Sequence, residues 1–216
     1  MINYLILVIT YIIAINFFSR KYKLLNHNIS KQDHKKININ NLIHTGGIYF
    51  LPIVIGILFY TKFKLNINPY LFNFFLIIIF LVGFLSYVKI NFKPSLRLFI
   101  QIITFFFVVY FSDFLITRSG ITIIDNLLNY TSFQYFFTIF CILVYINGLN
   151  FIDGINLNAS GYLIHLFLSI IIVSNNTSPQ LELIDFVKFL LISLMVFYIF
   201  NFFFDNILGD SGIYVL

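Results

Sequence analysis

The sequence predicts an all-α fold, a polytopic membrane bundle of about seven transmembrane helices, and three observations predict it. Hydrophobic residues make up 60% of the 216-residue chain and charged residues only 10%. Aromatic content is high, with 30 Phe and 14 Tyr, and the mean hydropathy is +0.96. What charge exists is confined to short segments between long uncharged runs. A soluble domain carries roughly 25% charged residues, and a chain of this size could not hide so much apolar area beneath a wet surface. Soluble enzymes, secreted disulfide scaffolds and disordered tails are thereby excluded. The net charge of +5 forms no basic face for nucleic acid. The single cysteine, Cys141, allows neither an internal disulfide nor a cysteine-based metal site.

Crossing a hydrocarbon core takes about 20 mostly apolar residues. The candidate spans are 2–19, 46–61, 70–88, 98–117, 132–150, 159–174 and 184–204. The first has no basic residue before it and no small-residue cleavage site, and Arg20, Lys21 and Lys23 follow it directly. It reads as a span and not as a cleavable signal. The second is short and contains Pro52 and Gly56, which membrane helices tolerate. The fourth crosses from Arg97 and meets water around Asp113. Residues 118–131, with Arg118, Gly120 and Asp125, read as an exposed loop or small hairpin. Gln101 in the fourth span and His165 in the sixth lie near span ends, which favours interhelical hydrogen bonds for both. No internal repeat and no soluble domain interrupts the chain, so 1–216 is one integral membrane domain.

Orientation follows from Lys and Arg. Alternate loops share a side, and one side collects Arg20, Lys21, Lys23, Lys31, Lys35, Lys36, Lys89, Lys93 and Arg97. The other collects Lys62, Lys64, Arg118 and Lys188. The positive-inside rule puts the larger set in the cytoplasm, with the amino terminus outside and the carboxyl terminus inside.

Three polar segments then fall on the cytoplasmic face. Residues 32–50 form a basic loop ending in His44-Thr45-Gly46-Gly47. Lys35, Lys36 and His34 could counter phosphate charge there, although lysines in such a loop also orient the protein. Gly46 and Gly47, at the start of a span, also suit close helix packing. Residues 147–161 place Asn147, Asn150 and Asp153 three apart, on one flank of a helix end. Gly154 lets the chain turn beside a ligand, and Asn156 and Asn158 add donors and acceptors. Such a set cradles a sugar or a nucleobase through paired hydrogen bonds, or simply caps a helix and turns. The last segment, Gly209-Asp210-Ser211-Gly212, offers a hard oxygen ligand suited to Mg²⁺ between glycines that admit a phosphate, and it is also a common turn.

Together these segments resemble the polyprenyl-phosphate N-acetylhexosamine-1-phosphate transferases, the glycosyltransferase 4 family that includes relatives of phospho-MurNAc-pentapeptide translocase. His34-Lys35 and His44 through Gly47 match the family's His-containing basic loop. Asn147, Asn150, Asp153, Gly154 and Asn156 match its Asn-x-x-Asn-x-x-Asp-Gly-x-Asn stretch, and Gly209, Asp210 and Gly212 match its Gly-Asp-x-Gly. The resemblance implies transfer of a sugar-1-phosphate from a UDP-sugar to polyprenyl phosphate, with release of UMP and a requirement for Mg²⁺ or Mn²⁺. It implies that Asp153 and Asp210 are catalytic, that Asp210 binds the metal, and that Asp153 and Asn156 line the nucleotide site. His34 and Lys35 would meet phosphates. The implied setting is a bacterial inner membrane, with a UDP-sugar, a polyprenyl phosphate lipid and a second copy in a homodimer as partners.

Two departures accompany the resemblance. Where the family carries an acidic pair after Gly-x-x, this chain reads Gly83-Phe84-Leu85-Ser86-Tyr87. Tyr87 stands where a carboxylate is expected, and a phenol does not ionise near neutral pH. The sequence also stops soon after Asp210, where the family continues through further spans and a His-bearing loop, so the chain reads as partial. A relative that binds without turnover is the first alternative. A transporter is disfavoured because the polar groups gather at one face and not at the midplane.

Overall fold

Runs of Phe, Ile and Leu without charge become helices because a chain removed from water must satisfy its backbone within itself. The computed structural model describes residues 2–22, 43–61, 68–87, 93–153, 157–174, 181–204 and 206–216. The long helices are α1 (Ile2–Lys21), α2 (Gly46–Thr61), α3 (Pro69–Tyr87) and α4 (Pro94–Ser112). They continue with α6 (Thr131–Ile152), α7 (Asn158–Ser174) and α8 (Leu181–Phe204). Short elements complete the order: β1 (Ile43–His44), α5 (Thr122–Leu127), β2 (Asn206–Ile207) and α9 (Gly209–Val215). The architecture is an all-α bundle, as expected.

Five helices, α1, α3, α4, α6 and α8, are long and apolar enough to cross a membrane. At 1.5 Å per residue, the 20 residues of α1 span about 30 Å, one hydrocarbon thickness. The 16 residues of α2 and 17 of α7 fall short of that. Helix α4 begins four residues before its expected start because Pro94 presets the first turn. It ends at Ser112, where Asp113 takes a left-handed conformation with φ 54°. The loop expected over 118–131 contains α5, so the hairpin reading is corrected to a single helical turn and a half.

Aromatic rings lock α1, α2 and α8 together. Tyr49 and Phe50 are fully buried and meet Phe197 at centroid distances of 5.5 and 5.3 Å. The Tyr11 hydroxyl donates to the Ile48 carbonyl at 2.8 Å, and the Tyr49 hydroxyl donates to the Ser193 carbonyl at 3.0 Å. Each bond consumes a phenol that burial would otherwise penalise. Outward faces carry Phe17, Phe99, Phe106 and Phe136, all exposed, which suits contact with lipid tails.

Helix α9 turns back into the bundle and packs against α2, α3 and α6. It is preceded by the parallel pair β1–β2, in which Ile43 faces Asn206 and His44 faces Ile207. This pairing ties the start of α2 to the chain that follows α8.

One expected side-chain role is corrected. His165 is exposed, and its Nδ1 lies 2.8 Å from the Gly161 carbonyl of its own helix, so among the described residues it bridges no helices. Gln101 is 1% exposed and its amide lies against the Tyr214 phenol of α9, an interhelical polar contact of the kind expected.

Candidate active site

Glycine makes the site, because only glycine lets α9 approach so closely. A Cβ on Gly46 would stand 2.4 Å from the Leu208 carbonyl oxygen, and one on Gly83 would stand 2.6 Å from the Ser211 backbone. A Cβ on Gly47 would meet the Ser211 side chain at 2.3 Å, and one on Gly212 would meet the Gly46 backbone at 3.0 Å. Gly209 adopts φ +63°, and a Cβ there would lie 2.7 Å from His44 Nδ1. Of the two readings open for Gly46 and Gly47, close packing is thus directly visible.

The consequence is that distant segments meet. The Gly209 N–H donates to Asp153 Oδ2 at 2.8 Å, joining the end of α6 to the start of α9. Asp210 Oδ2 accepts a charge-assisted hydrogen bond from the Arg97 guanidinium at the start of α4. The Ser86 hydroxyl lies 3.0 Å from Asp210 Oδ2 and 2.7 Å from the Gly83 carbonyl, so its single proton is shared between them. Arg97 and Asp210 are 27% and 32% exposed, open enough to face a ligand and enclosed enough to hold their geometry. His44, Ser86, Arg97, Asp153 and Asp210 therefore gather at one end of the bundle.

Other expected residues stand elsewhere or cannot be placed. Asn147 donates to the Leu143 carbonyl of its own helix at 2.7 Å. Asn150 is turned inward, with both amide atoms buried. His34, Lys35, Gly154 and Asn156 lie outside the described residues, as does the Tyr87 side chain. Arg97 and Ser86 were missed as site residues by the sequence argument. A cation beside a span is already explained by orientation, so its pairing with Asp210 had no signature in one sequence.

Mg²⁺ takes one or two carboxylates and fills its other positions with water and substrate phosphate. Asp153, which accepts from the Gly209 N–H, and Asp210, the next residue in sequence, each carry hard carboxylate oxygens of that kind. Among the described residues no group of three His, Cys, Asp or Glu gathers. The donor set fits Mg²⁺ or Mn²⁺ shared with a substrate, and does not fit a metal held by protein alone.

The profile of glycosyl transferase family 4 matches residues 69–216, from the start of α3 through α9. This chain belongs to that family. The match includes Ser86, Arg97, Asp153 and Asp210, so the residues that meet in space fall within the shared region. Neither a curated protein nor a solved structure matches the chain. As a family 4 member with five helices long and apolar enough to cross a membrane, the protein is a membrane sugar-phosphate transferase in general class.

Proposed function

We infer that this family 4 protein transfers N-acetylhexosamine-1-phosphate from a UDP-sugar to polyprenyl (undecaprenyl) phosphate at the cytoplasmic membrane face, as a step in cell-envelope polysaccharide synthesis. One observation carries the reading: Asp153, Gly209, Asp210 and Arg97 meet at the end of an apolar bundle. A water-soluble donor and a lipid acceptor can share a site only where spans meet water. An oxygen of the lipid phosphate attacks the sugar-bearing phosphorus, the bond from that phosphorus to the bridging oxygen breaks, and UMP leaves. The phosphate nucleophile needs no proton removed at neutral pH, so the protein's work is orientation and charge neutralisation. Arg97 offers a fixed fork to phosphate oxygens, and Asp210 aims it. By the family resemblance, Asp153 and Asn156 would serve the nucleotide, and His34 and Lys35 the phosphates. Asp210 would hold Mg²⁺, which would supply further neutralisation of the diphosphate.

Membranes carrying the protein, polyprenyl phosphate and a UDP-N-acetylhexosamine should release UMP. Asp210→Asn should lower that rate by about 100-fold or more, the scale for losing one charged contact to a transferring group. Equal release by the two would refute the assignment. Tyr87 supports a second reading, a relative that binds without turnover. That reading expects nucleotide-sugar binding with no UMP, and turnover gained in Tyr87→Asp.

A further inference from the structure

The connection between α4 and α6 stands at the end of the bundle away from Arg97 and Asp153, and its side chains sort into three directions. Thr122, Asp125 and Asn126 lie three and four residues apart and give α5 one polar flank. Ile123 and Leu127, four apart, give it a second flank that is apolar and exposed, Ile123 by 76%. Ile124 and Leu128 form a third flank, and there Leu128 is 2% exposed. The segment is tied to α6 on both sides of α5. The Ile116 N–H donates to the Thr138 hydroxyl oxygen at 3.0 Å, and the Gln134 side chain donates to the Leu128 carbonyl at 2.6 Å.

A helix in water gains nothing by holding out two large aliphatic side chains, and a helix within hydrocarbon would not keep Asp125. One flank on protein, one polar and one apolar is the arrangement of a helix lying along a boundary between the two media. The neighbours say what covers the apolar flank. The segment joins helix ends that themselves expose aromatic rings, Tyr110 and Phe111 in the last turn of α4 and Phe136 in the second turn of α6. Phe114 and Tyr130 carry that exposed aromatic surface into the segment itself. Arg118 is exposed beside them, and Tyr and Arg are side chains that reach the headgroup layer from an apolar stem.

We propose that residues 113–130 form an interfacial anchor, with lipid as its partner: Ile123 and Leu127 enter the boundary between headgroups and acyl chains, and Thr122, Asp125 and Asn126 face water. The anchor holds the far ends of α4 and α6, the two helices that carry Arg97 and Asp153. It is independent of any transfer reaction.

The chain contains no tryptophan, so a single introduced one reports its own surroundings without background. Ile123→Trp, Leu127→Trp and Asn126→Trp are made separately in the full chain. Each is placed in nanodiscs of phosphatidylcholine brominated either near the headgroup end or near the tip of the acyl chain. All three positions are exposed, so the added ring displaces no packed neighbour, and an unshifted thermal midpoint checks that each protein folds. Shallow bromine should quench Ile123→Trp and Leu127→Trp several-fold more than deep bromine does, and aqueous iodide should quench them little. Asn126→Trp should show the reverse preference, with iodide the stronger quencher. Strong iodide quenching of Ile123→Trp and Leu127→Trp would put the apolar flank in water and overturn the anchor. Protection of both from bromine and iodide alike would mean that a second copy or another protein covers the flank, which also overturns it. Stronger quenching by deep than by shallow bromine would sink the segment into the hydrocarbon core and refute its interfacial placement.

Discussion

Gly46 and Gly83 show how single residues decide whether the site exists. At both, the atoms a methyl would strike belong to the backbone of Leu208, Asp210 and Ser211, which cannot rotate away as a side chain can. Gly46→Ala or Gly83→Ala must therefore push α9 outward, with a cost of about 1–3 kcal/mol by analogy with overpacked cores. Each should lower the thermal midpoint of the purified protein and reduce UMP release. Gly56→Ala is the control: nothing lies within 4 Å of its added methyl, and alanine favours a helix more than glycine does. An unchanged midpoint in Gly46→Ala would show that α9 does not pack as described. The residue types of this site were legible in the sequence, Asp153 and Asp210 above all, because carboxylates and glycines are out of place beside apolar runs. Their partners were not, since Arg97 and Ser86 acquire meaning only when α4 and α3 are brought against α9.

At the level of elements, long helices were legible and short ones were not. Apolar runs of membrane length announce themselves through composition, whereas α5 and α9 are only 6 and 7 residues long. An isolated helix of that length is unstable in water, so its order comes from contacts that no local pattern records. For α9 the contacts are α2 and α3. For α5 they are local: the Ser119 backbone N–H and hydroxyl both donate to Asp125 Oδ1, at 2.6 and 2.8 Å. The Ser119 backbone bond, ahead of the hydroxyl, holds the Asp125 carboxyl below its ordinary range. A carboxyl lowered in the folded state lends stability above its unfolded value, about 3.9, and loses it as pH falls through the folded value. Amide exchange at 119–127 should therefore hold steady from neutral pH to about 4 and quicken, relative to the intrinsic rate, in stronger acid. Asp125→Asn should abolish that acid dependence. Because the bonds of Asp125 reach no further than Ser119, six residues away, the effect should stay local and leave the global thermal midpoint unmoved.

For the whole molecule, the decisive property is that alternate helices bring their ends to one face. Arg20, at the end of α1, donates to the Phe204 carbonyl at the end of α8 at 2.9 Å. His44 at the start of α2 adjoins Gly209, Arg97 in the first turn of α4 pairs with Asp210, and Asp153 at the end of α6 accepts from Gly209. An odd number of crossings, seven if the shorter α2 and α7 span together with the five long helices, reconciles this shared face with an amino terminus on the opposite side. The consequence is testable on α4 alone, because Lys93 precedes it, Ser119 follows it, and both are exposed. With Cys141 replaced by Ala, Lys93→Cys and Ser119→Cys give two single-thiol proteins. A membrane-impermeant maleimide should label Ser119→Cys in intact cells, and Lys93→Cys only once vesicles are inverted. Lys93 lies four residues from Arg97, so its label also reports the side on which Asp210 sits. If both thiols react from the same side, α4 does not cross, and the cytoplasmic placement of the Asp210 site falls with it. If the two react from opposite sides in the reverse sense, α4 crosses but the site faces outward, where no UDP-sugar is made, and the transferase reading fails while the bundle stands.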